Sequence, residues 1–522
     1  MSGHASPGRA PLYIALGLGA IGALAALLLP GAQALLGMIA AAVAVLALLN
    51  TRIALYLIVP AMVLSPDLPM HGVAVRSEDL MMVPLVIGWL AHLCVSKMRR
   101  QTPFDRILIA YALVGILATV WGSLFGTVHL LTVNKYESSP LHMLKRVEFV
   151  ALFLIAADTL ETLSDVRKMV YVLLGSMVAL SLYSLWQYHT NQSIAVGPEG
   201  APYHEPGMAS MVAVALALGL MRSSTPTGRV ILGGIMMFAI ATLPLALGRN
   251  YIVATLLILL YVGVKEQRWL LFAVPAIAAL ALLVYPEGVA HRIVTLQSVL
   301  SPDTSSGPTS TASASVFYRA QAPIYYALWA LGTSPLLGLG MGSVPLGAID
   351  SEYVTQLFYT GLIGLAIFVI FSMTLFRVIR EMSRAATDPV SAGLVQGLGL
   401  IVVGYAFYSV FAASISATHT GSPFFVVVAV IGVLYRVLVP ASVTETPRER
   451  IGSRRSYGGE RHPLLLPGPA PANPWGRLRV LRQTPPRPQP EPSPPRTRRE
   501  LWTPLRSRPA LTAPRTLSGP HG

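Results

Sequence analysis

Apolar runs of helix length, separated by short polar stretches, recur along the chain. They can be drawn at 11–29, 34–49, 52–66, 78–95, 104–125, 146–160, 169–187, 207–221, 228–246, 250–264, 268–285, 353–376, 391–416 and 422–439. A hydrocarbon core of about 30 Å takes roughly 20 apolar residues of helix, so this pattern predicts helices that cross a bilayer. The first run, YIALGLGAIGALAALLL, has no small-residue cleavage site before the next and reads as a retained span. The expected fold is all-α and polytopic, with about 12–14 transmembrane helices.

An even number of spans puts both termini on one side, and short-loop charges choose which. Lys97, Arg99, Arg100 and Arg106 share a loop. Arg167 with Lys168, Arg222 with Arg229, Lys265 with Arg268, and Arg377 with Arg380 and Arg384 mark four others. All fall on one side, which the positive-inside rule makes cytoplasmic. The opposite side receives 67–77, 126–145, 188–206 and the large loop 286–352. That loop is polar at SPDTSSGPTSTASAS (301–315) and then aromatic, apolar and Gly-rich, as suits a segment packed near the membrane surface.

Composition agrees with this picture. Charged residues make up 12% of the 522-residue chain and hydrophobic ones 54%, about half the charge of a soluble domain. The net charge is +15, and residues 440–522 carry 15 Arg against 5 Glu, so ten of those fifteen charges lie in a Pro-rich tail. Such a tail cannot build a core. It reads as a solvated cytoplasmic segment that helps fix topology, with contact to anionic lipid as the other option. Three regions result: 1–10, a cytoplasmic N-terminus; 11–439, the membrane domain; and 440–522, the disordered basic tail. The single cysteine, Cys94, excludes an intrachain disulfide.

The few charges on the outer side carry the candidate chemistry. Arg249, in LPLALGRNYIVATLL, either snorkels to lipid phosphate or clamps a phosphorylated substrate with its planar fork of donors. Arg319, in SVFYRAQAPIYYALWALG, either edges an interfacial helix or supplies a second clamp. Asp350 and Glu352 either cap the following helix, together with Ser351, or accept a proton from an incoming hydroxyl. His419, Tyr318 and Tyr353 are further candidates for the same cavity. Gly338, Gly340 and Gly342 spell GxGxG without the strand-turn-helix setting of a dinucleotide site; tight turning explains them. No P-loop, HExxH, paired CxxC or GxSxG occurs.

Taken in order, these stretches resemble the O-antigen ligase and Wzy-type polysaccharide polymerase superfamily of bacterial membrane glycosyl-transfer proteins. LPLALGRNYIVA resembles its arginine at the outward start of a span. FYRAQAPIYYALWALGTSPLLGLGMG resembles its loop arginine, helix and SPLLGxGxG turn. IDSEYVTQLFYTGLIGLAIF resembles its polar residue before a GLIGL step, and YHEPGMASMVAV its PN.lA element with Gly207 in place of Asn. The resemblance covers roughly 203–376.

The resemblance implies inverting glycosyl transfer at the periplasmic face of the bacterial inner membrane. The donor is a glycan on undecaprenyl pyrophosphate and the acceptor a sugar hydroxyl. No metal or cofactor is implied. Beyond membrane lipid and that donor, a flippase and a chain-length regulator are the implied partners, and no nucleic acid is expected. Arg249 and Arg319 take the two arginine roles. Asp350 stands where ligases have a histidine base, with Ser351 in the following Asn position and Glu352 as the neighbouring alternative. A carboxylate in the histidine's place favours a repeat-unit polymerase over a ligase. A lipid-linked oligosaccharide flippase is the rival class. It predicts two related halves and short loops, whereas the 286–352 loop is long and no repeat is evident.

Overall fold

The computed structural model describes residues 45–47, 49–65, 68–70, 73–96, 100–125, 135–191, 204–243, 249–272, 275, 279, 311–343, 349–412, 415–416 and 418–439. The segments 1–44 and 280–310 and the tail 440–522 lie outside the described residues, and with them the runs 11–29 and most of 34–49 and 268–285.

Twelve α-helices are described: α1 (Thr51–Leu64), α2 (Ser77–Ser96), α3 (Asp105–Leu124), α4 (Lys135–Thr159), α5 (Leu163–Asn191), α6 (His204–Met221), α7 (Pro226–Thr242), α8 (Arg249–Lys265), α9 (Thr311–Thr333), α10 (Glu352–Ala385), α11 (Pro389–Phe411) and α12 (Thr418–Leu438). A 3-10 turn covers Arg268–Phe272. Among the described residues, the other regular element is an antiparallel hairpin between α1 and α2, β1 (Leu68–Met70) with β2 (Val73–Val75). Among the described residues, five helices are long and apolar enough to cross a membrane: Asp105–Leu124, Leu163–Thr190, Glu352–Ala385, Pro389–Phe411 and Thr420–Leu438. Four more, in α1, α6, α7 and α8, are apolar but shorter.

Local chemistry sets several helix starts. Asn50 Oδ1 accepts from the backbone N–H groups of Arg52 and Ile53, and Asp388 Oδ1 from those of Val390 and Ser391, with Pro389 in the first turn. Thr225 accepts from the Gly228 N–H ahead of α7. Ser351 occupies the N-cap position of α10, but its side chain makes no capping bond. The capping role expected for that hydroxyl is therefore not filled. Instead, the Ser351 carbonyl accepts from Thr355 Oγ1 at 2.8 Å.

Close helix packing rests on small residues. A Cβ on Gly219 of α6 would meet the Gly393 carbonyl oxygen at 2.4 Å and the Gly397 nitrogen at 2.5 Å, both in α11. The two backbones touch because no side chain stands between them. The apolar window of α12 is 83% buried and that of α10 only 28%. So α12 runs inside the bundle, and α10 presents Leu362, Ile363, Ile370, Met373 and Phe376 on an exposed apolar face.

The polar ends of the helices pair with one another. Arg52 bridges to Asp165, Arg100 to Glu161, and Arg222 to Glu266. Arg436 donates to the carbonyls of Arg100, Ala157 and Leu160, and Tyr435 to Glu381. These contacts gather the start of α1, the ends of α2, α4, α10 and α12, and their neighbours at one end of the bundle. The candidate site lies toward the other end.

The SPLLGLGMG turn takes the expected tight course. Gly338, Gly340 and Gly342 have φ of 69°, 87° and 71°, values that favour glycine. The turn docks on α10 well beyond the acidic pair. Leu339 N–H donates to the Phe358 carbonyl at 2.8 Å and Gly340 N–H to that of Tyr359 at 3.1 Å. Those carbonyls are freed because α10 breaks at Gly361 (φ 66°, ψ −165°), the first glycine of the GLIGL step. Leu362 N–H then finds the Pro335 carbonyl at 2.8 Å. The turn and the break satisfy each other's backbone groups, as a buried kink requires.

Candidate functional site

Glu352, the first residue of α10, is fully buried. Its Oε1 accepts from Gln356 Nε2 and from Ser416 Oγ, each at 2.6 Å. Its Oε2 accepts from the backbone N–H groups of Ile415 at 2.9 Å and Ser416 at 3.1 Å. Four such bonds fix the position of the carboxylate. They also occupy the lone pairs a base would use, so the geometry suits Glu352 to fixing the turn before α12.

Gln356 lies one helical turn on and is also fully buried. Its Nε2 donates to Tyr111 Oη at 2.9 Å as well as to Glu352, and its Oε1 accepts from Arg146 Nη2 at 3.2 Å. Arg146, on α4, is 4% exposed, and its guanidinium carbon stands 4.2 Å from the centre of the Tyr111 ring. Gly115, one turn along α3 from Tyr111, leaves room for it: a Cβ there would meet Arg146 Cδ at 3.0 Å. Arg146 Nη1 is buried without a hydrogen-bond partner among the described residues. The residues around it form a recess lined by Tyr111, His142, Lys145, Met341, Tyr359 and Ser416. His142 makes no hydrogen bond among the described residues. Burial holds its imidazole below the ordinary histidine value, hence neutral at neutral pH.

A second buried charge group sits beside this network. Arg76, 1% exposed, places Nη1 2.9 Å from Glu78 Oε1 and Nη2 3.8 Å from Glu205 Oε1. Its Nη2 donates to the carbonyls of Met62 and Ser65 at the end of α1. Lys145 links Asp79 of α2 to Glu148, 3.2 Å away, within α4. Together these pairs tie α1, α2, α4 and the start of α6.

The expected residues are placed as follows. Arg249 opens α8, Tyr318 and Arg319 lie in α9, and His419 is the second residue of α12; the side chains of all four fall outside the described ones. Asp350 is half-buried two residues before α10. Tyr353 packs edge-on against Phe368 at 5.4 Å and lines an apolar groove with Phe371, Leu375, Tyr405 and Phe424, on a different face of α10 from the Arg146 recess. The structure joins the elements that bear these residues. Asn250 Nδ2, next to Arg249, donates to the Phe411 carbonyl at 3.1 Å. Tyr251 stacks on Tyr408 at 4.0 Å. Tyr326 and Trp329 of α9 each lie 5.4 Å from Phe358 of α10.

Sequence reasoning passed over Arg146, His142, Lys145, Gln356, Arg76, Glu78 and Glu205. One signal was available: each is an ionisable or amide group in or beside an apolar segment of a chain with 12% charged residues, and such groups are costly in a membrane unless they pair or work. Among the described residues, no group of three or more His, Cys, Asp or Glu is placed to hold a metal ion. No protein-family model and no curated protein matches the chain.

Proposed function

We propose that the protein is a repeat-unit polymerase of a bacterial surface polysaccharide or exopolysaccharide, acting at the periplasmic face of the inner membrane. In this reading residues 11–439 form the membrane domain with 12–14 spans, 286–352 is its periplasmic loop, both termini are cytoplasmic and 440–522 is accessory. The donor is a glycan on undecaprenyl pyrophosphate. An acceptor sugar hydroxyl attacks the anomeric carbon from the side opposite the pyrophosphate. The new C–O bond forms as the bond to the pyrophosphate breaks, and the electron pair leaves with the lipid pyrophosphate. Asp350 takes the hydroxyl proton, and Arg249 and Arg319 stabilise the charge that develops on the leaving group.

The observation that supports this reading is convergence. Three stretches that resemble the superfamily, far apart in sequence, belong to elements held together toward one end of the bundle. The Asn250 and Tyr251 contacts fix the start of α8, and the Phe358 contacts fix α9 against α10. Glu352 fixes the start of α10 to the turn before α12. Asp350 lies half-buried beside that start and takes the proton-accepting role in this reading, while Glu352 accepts four hydrogen bonds that anchor the turn before α12.

The test is polysaccharide production in a deletion strain complemented with wild type, Arg249→Ala, Arg319→Ala or Asp350→Asn, at matched membrane protein levels. Single repeat units on lipid without polymer, in all three variants, support the polymerase. Polymer built on lipid but not transferred indicates a ligase. Normal product from all three variants overturns the enzymatic reading and favours a lipid-linked oligosaccharide flippase.

A further inference from the structure

We infer that the recess around Arg146 is an anion subsite that receives a phosphate group carried on a lipid chain. Arg146 is nine-tenths buried, and among the described residues its one polar hydrogen-bond partner is the neutral Gln356 Oε1. Its Nη1 is a buried donor with no acceptor among the described residues. Such a group is costly to leave unmade, and a guanidinium is best satisfied by an oxyanion that takes two parallel bonds. The charges nearby do not fill this need. Glu352 is held off by Gln356 and occupied by the backbone N–H groups of Ile415 and Ser416 and by the Ser416 hydroxyl. Lys145, next in sequence, is committed to Asp79 and Glu148. His142 lines the same recess with an imidazole that makes no bond among the described residues, and it can donate to a bound oxygen.

A second observation points to the carrier. Ile415 lines both the recess and the apolar groove of Tyr353, Phe371, Leu375, Tyr405 and Phe424. The recess and the apolar groove thus share Ile415 as a wall residue. Phosphate with a hydrocarbon chain fits that pair of sites better than free phosphate does. The choice of a polyprenyl carrier rests on the donor reading above; the anion chemistry of the recess does not.

The experiment uses the full chain purified in detergent and measures binding of a short-chain polyprenyl pyrophosphate, inorganic pyrophosphate and phosphatidylglycerol. Wild type is compared with Arg146→Gln, Arg146→Lys and His142→Ala, with thermal midpoints recorded for each. Loss of one charge-assisted bond predicts about tenfold weaker binding of the prenyl pyrophosphate to Arg146→Gln. Arg146→Lys recovers part of the loss, and His142→Ala shows about a threefold one. Unchanged affinity in a folded Arg146→Gln overturns the subsite. Should that variant fail to fold, unchanged affinity in His142→Ala overturns it. Inorganic pyrophosphate bound as tightly as the prenyl form, and weakened by Arg146→Gln, upholds the anion subsite and overturns its lipid carrier, and tighter binding of phosphatidylglycerol overturns the polyprenyl one. No binding of prenyl pyrophosphate by wild type overturns the donor reading itself.

Discussion

Arg146 and Glu352 form an ion pair at one remove: Gln356 stands between them, accepting from Arg146 Nη2 at 3.2 Å and donating to Glu352 Oε1 at 2.6 Å. A neutral amide thus relays two buried charges from helices far apart in sequence. Replacing it with an apolar side chain of similar size takes the acceptor from buried Arg146 and one of four donors from Glu352. Gln356→Leu is expected to lower stability by about 2–4 kcal/mol, the usual consequence of unpairing buried charged groups. Thermal unfolding in detergent, followed by size-exclusion fluorescence, reads this directly, and a midpoint within a degree of wild type would refute the relay.

The two carboxylates of the acidic pair separate under mutation. Glu352→Gln keeps one acceptor oxygen and brings in an NH2 group, which meets either the N–H groups of Ile415 and Ser416 or the Gln356 Nε2 donor. We expect a loss of about 2–3 kcal/mol and faster amide hydrogen exchange across 412–418. Asp350→Asn should leave exchange across 412–418 unchanged while abolishing polymer. If the variants exchange these phenotypes, Glu352 is the base and Asp350 the anchor.

The helices were largely legible because membrane spans announce themselves by length and apolarity. The runs 104–125, 207–221 and 250–264 fall within a few residues of α3, α6 and α8. The start of α4 was missed by about ten residues because its first turns, KYESSPLHML, are too polar to read as a span. The GxGxG turn could be read from glycine alone, but its docking on the Gly361 break could not, since that depends on a register set by tertiary contact. Glu352 stands out in the sequence as a rare charge. Its role was hidden because its partners, Ile415 and Ser416, lie more than sixty residues away and two of the donors are peptide N–H groups. Arg146 and Gln356 are 210 residues apart, and no local pattern links them.

His142 gives a pH dependence with a definite sign. Burial lowers its folded pKa below the ordinary value of 6.5, so between the two values the unfolded chain binds more protons. Its contribution to stability is fully present above about pH 6.5 and is lost as pH falls toward the folded value. Lys145, Arg146, Tyr111 and Tyr359 line the same recess, and neither cation welcomes an imidazolium. The wild-type thermal midpoint should therefore drop between pH 7.5 and 5.5 by more than that of His142→Ala. Equal drops would mean that His142 titrates as it does in water.

Gly207 stands where the resembling family has Asn, and the structure supplies a reason. A Cβ on Gly207 would meet Tyr251 Cδ2 at 2.7 Å and its Cγ at 3.1 Å. Tyr251 is fully buried and stacked on Tyr408, two residues beyond the start of α8 at Arg249. The missing side chain on α6 is thus the space that lets an aromatic ring anchor α8. Gly207→Ala should displace the ring and loosen the start of α8, at about 1–3 kcal/mol, the ordinary consequence of overpacking a filled site. Gly207→Asn should be worse. The larger volume of Tyr251 is the cause, so Tyr251→Leu should relieve it. The double variant Gly207→Ala with Tyr251→Leu should be more stable than the sum of the single losses predicts, a coupling that thermal midpoints of the four proteins will reveal. Strict additivity would show that Gly207 and Tyr251 act independently and that the glycine answers to some other constraint.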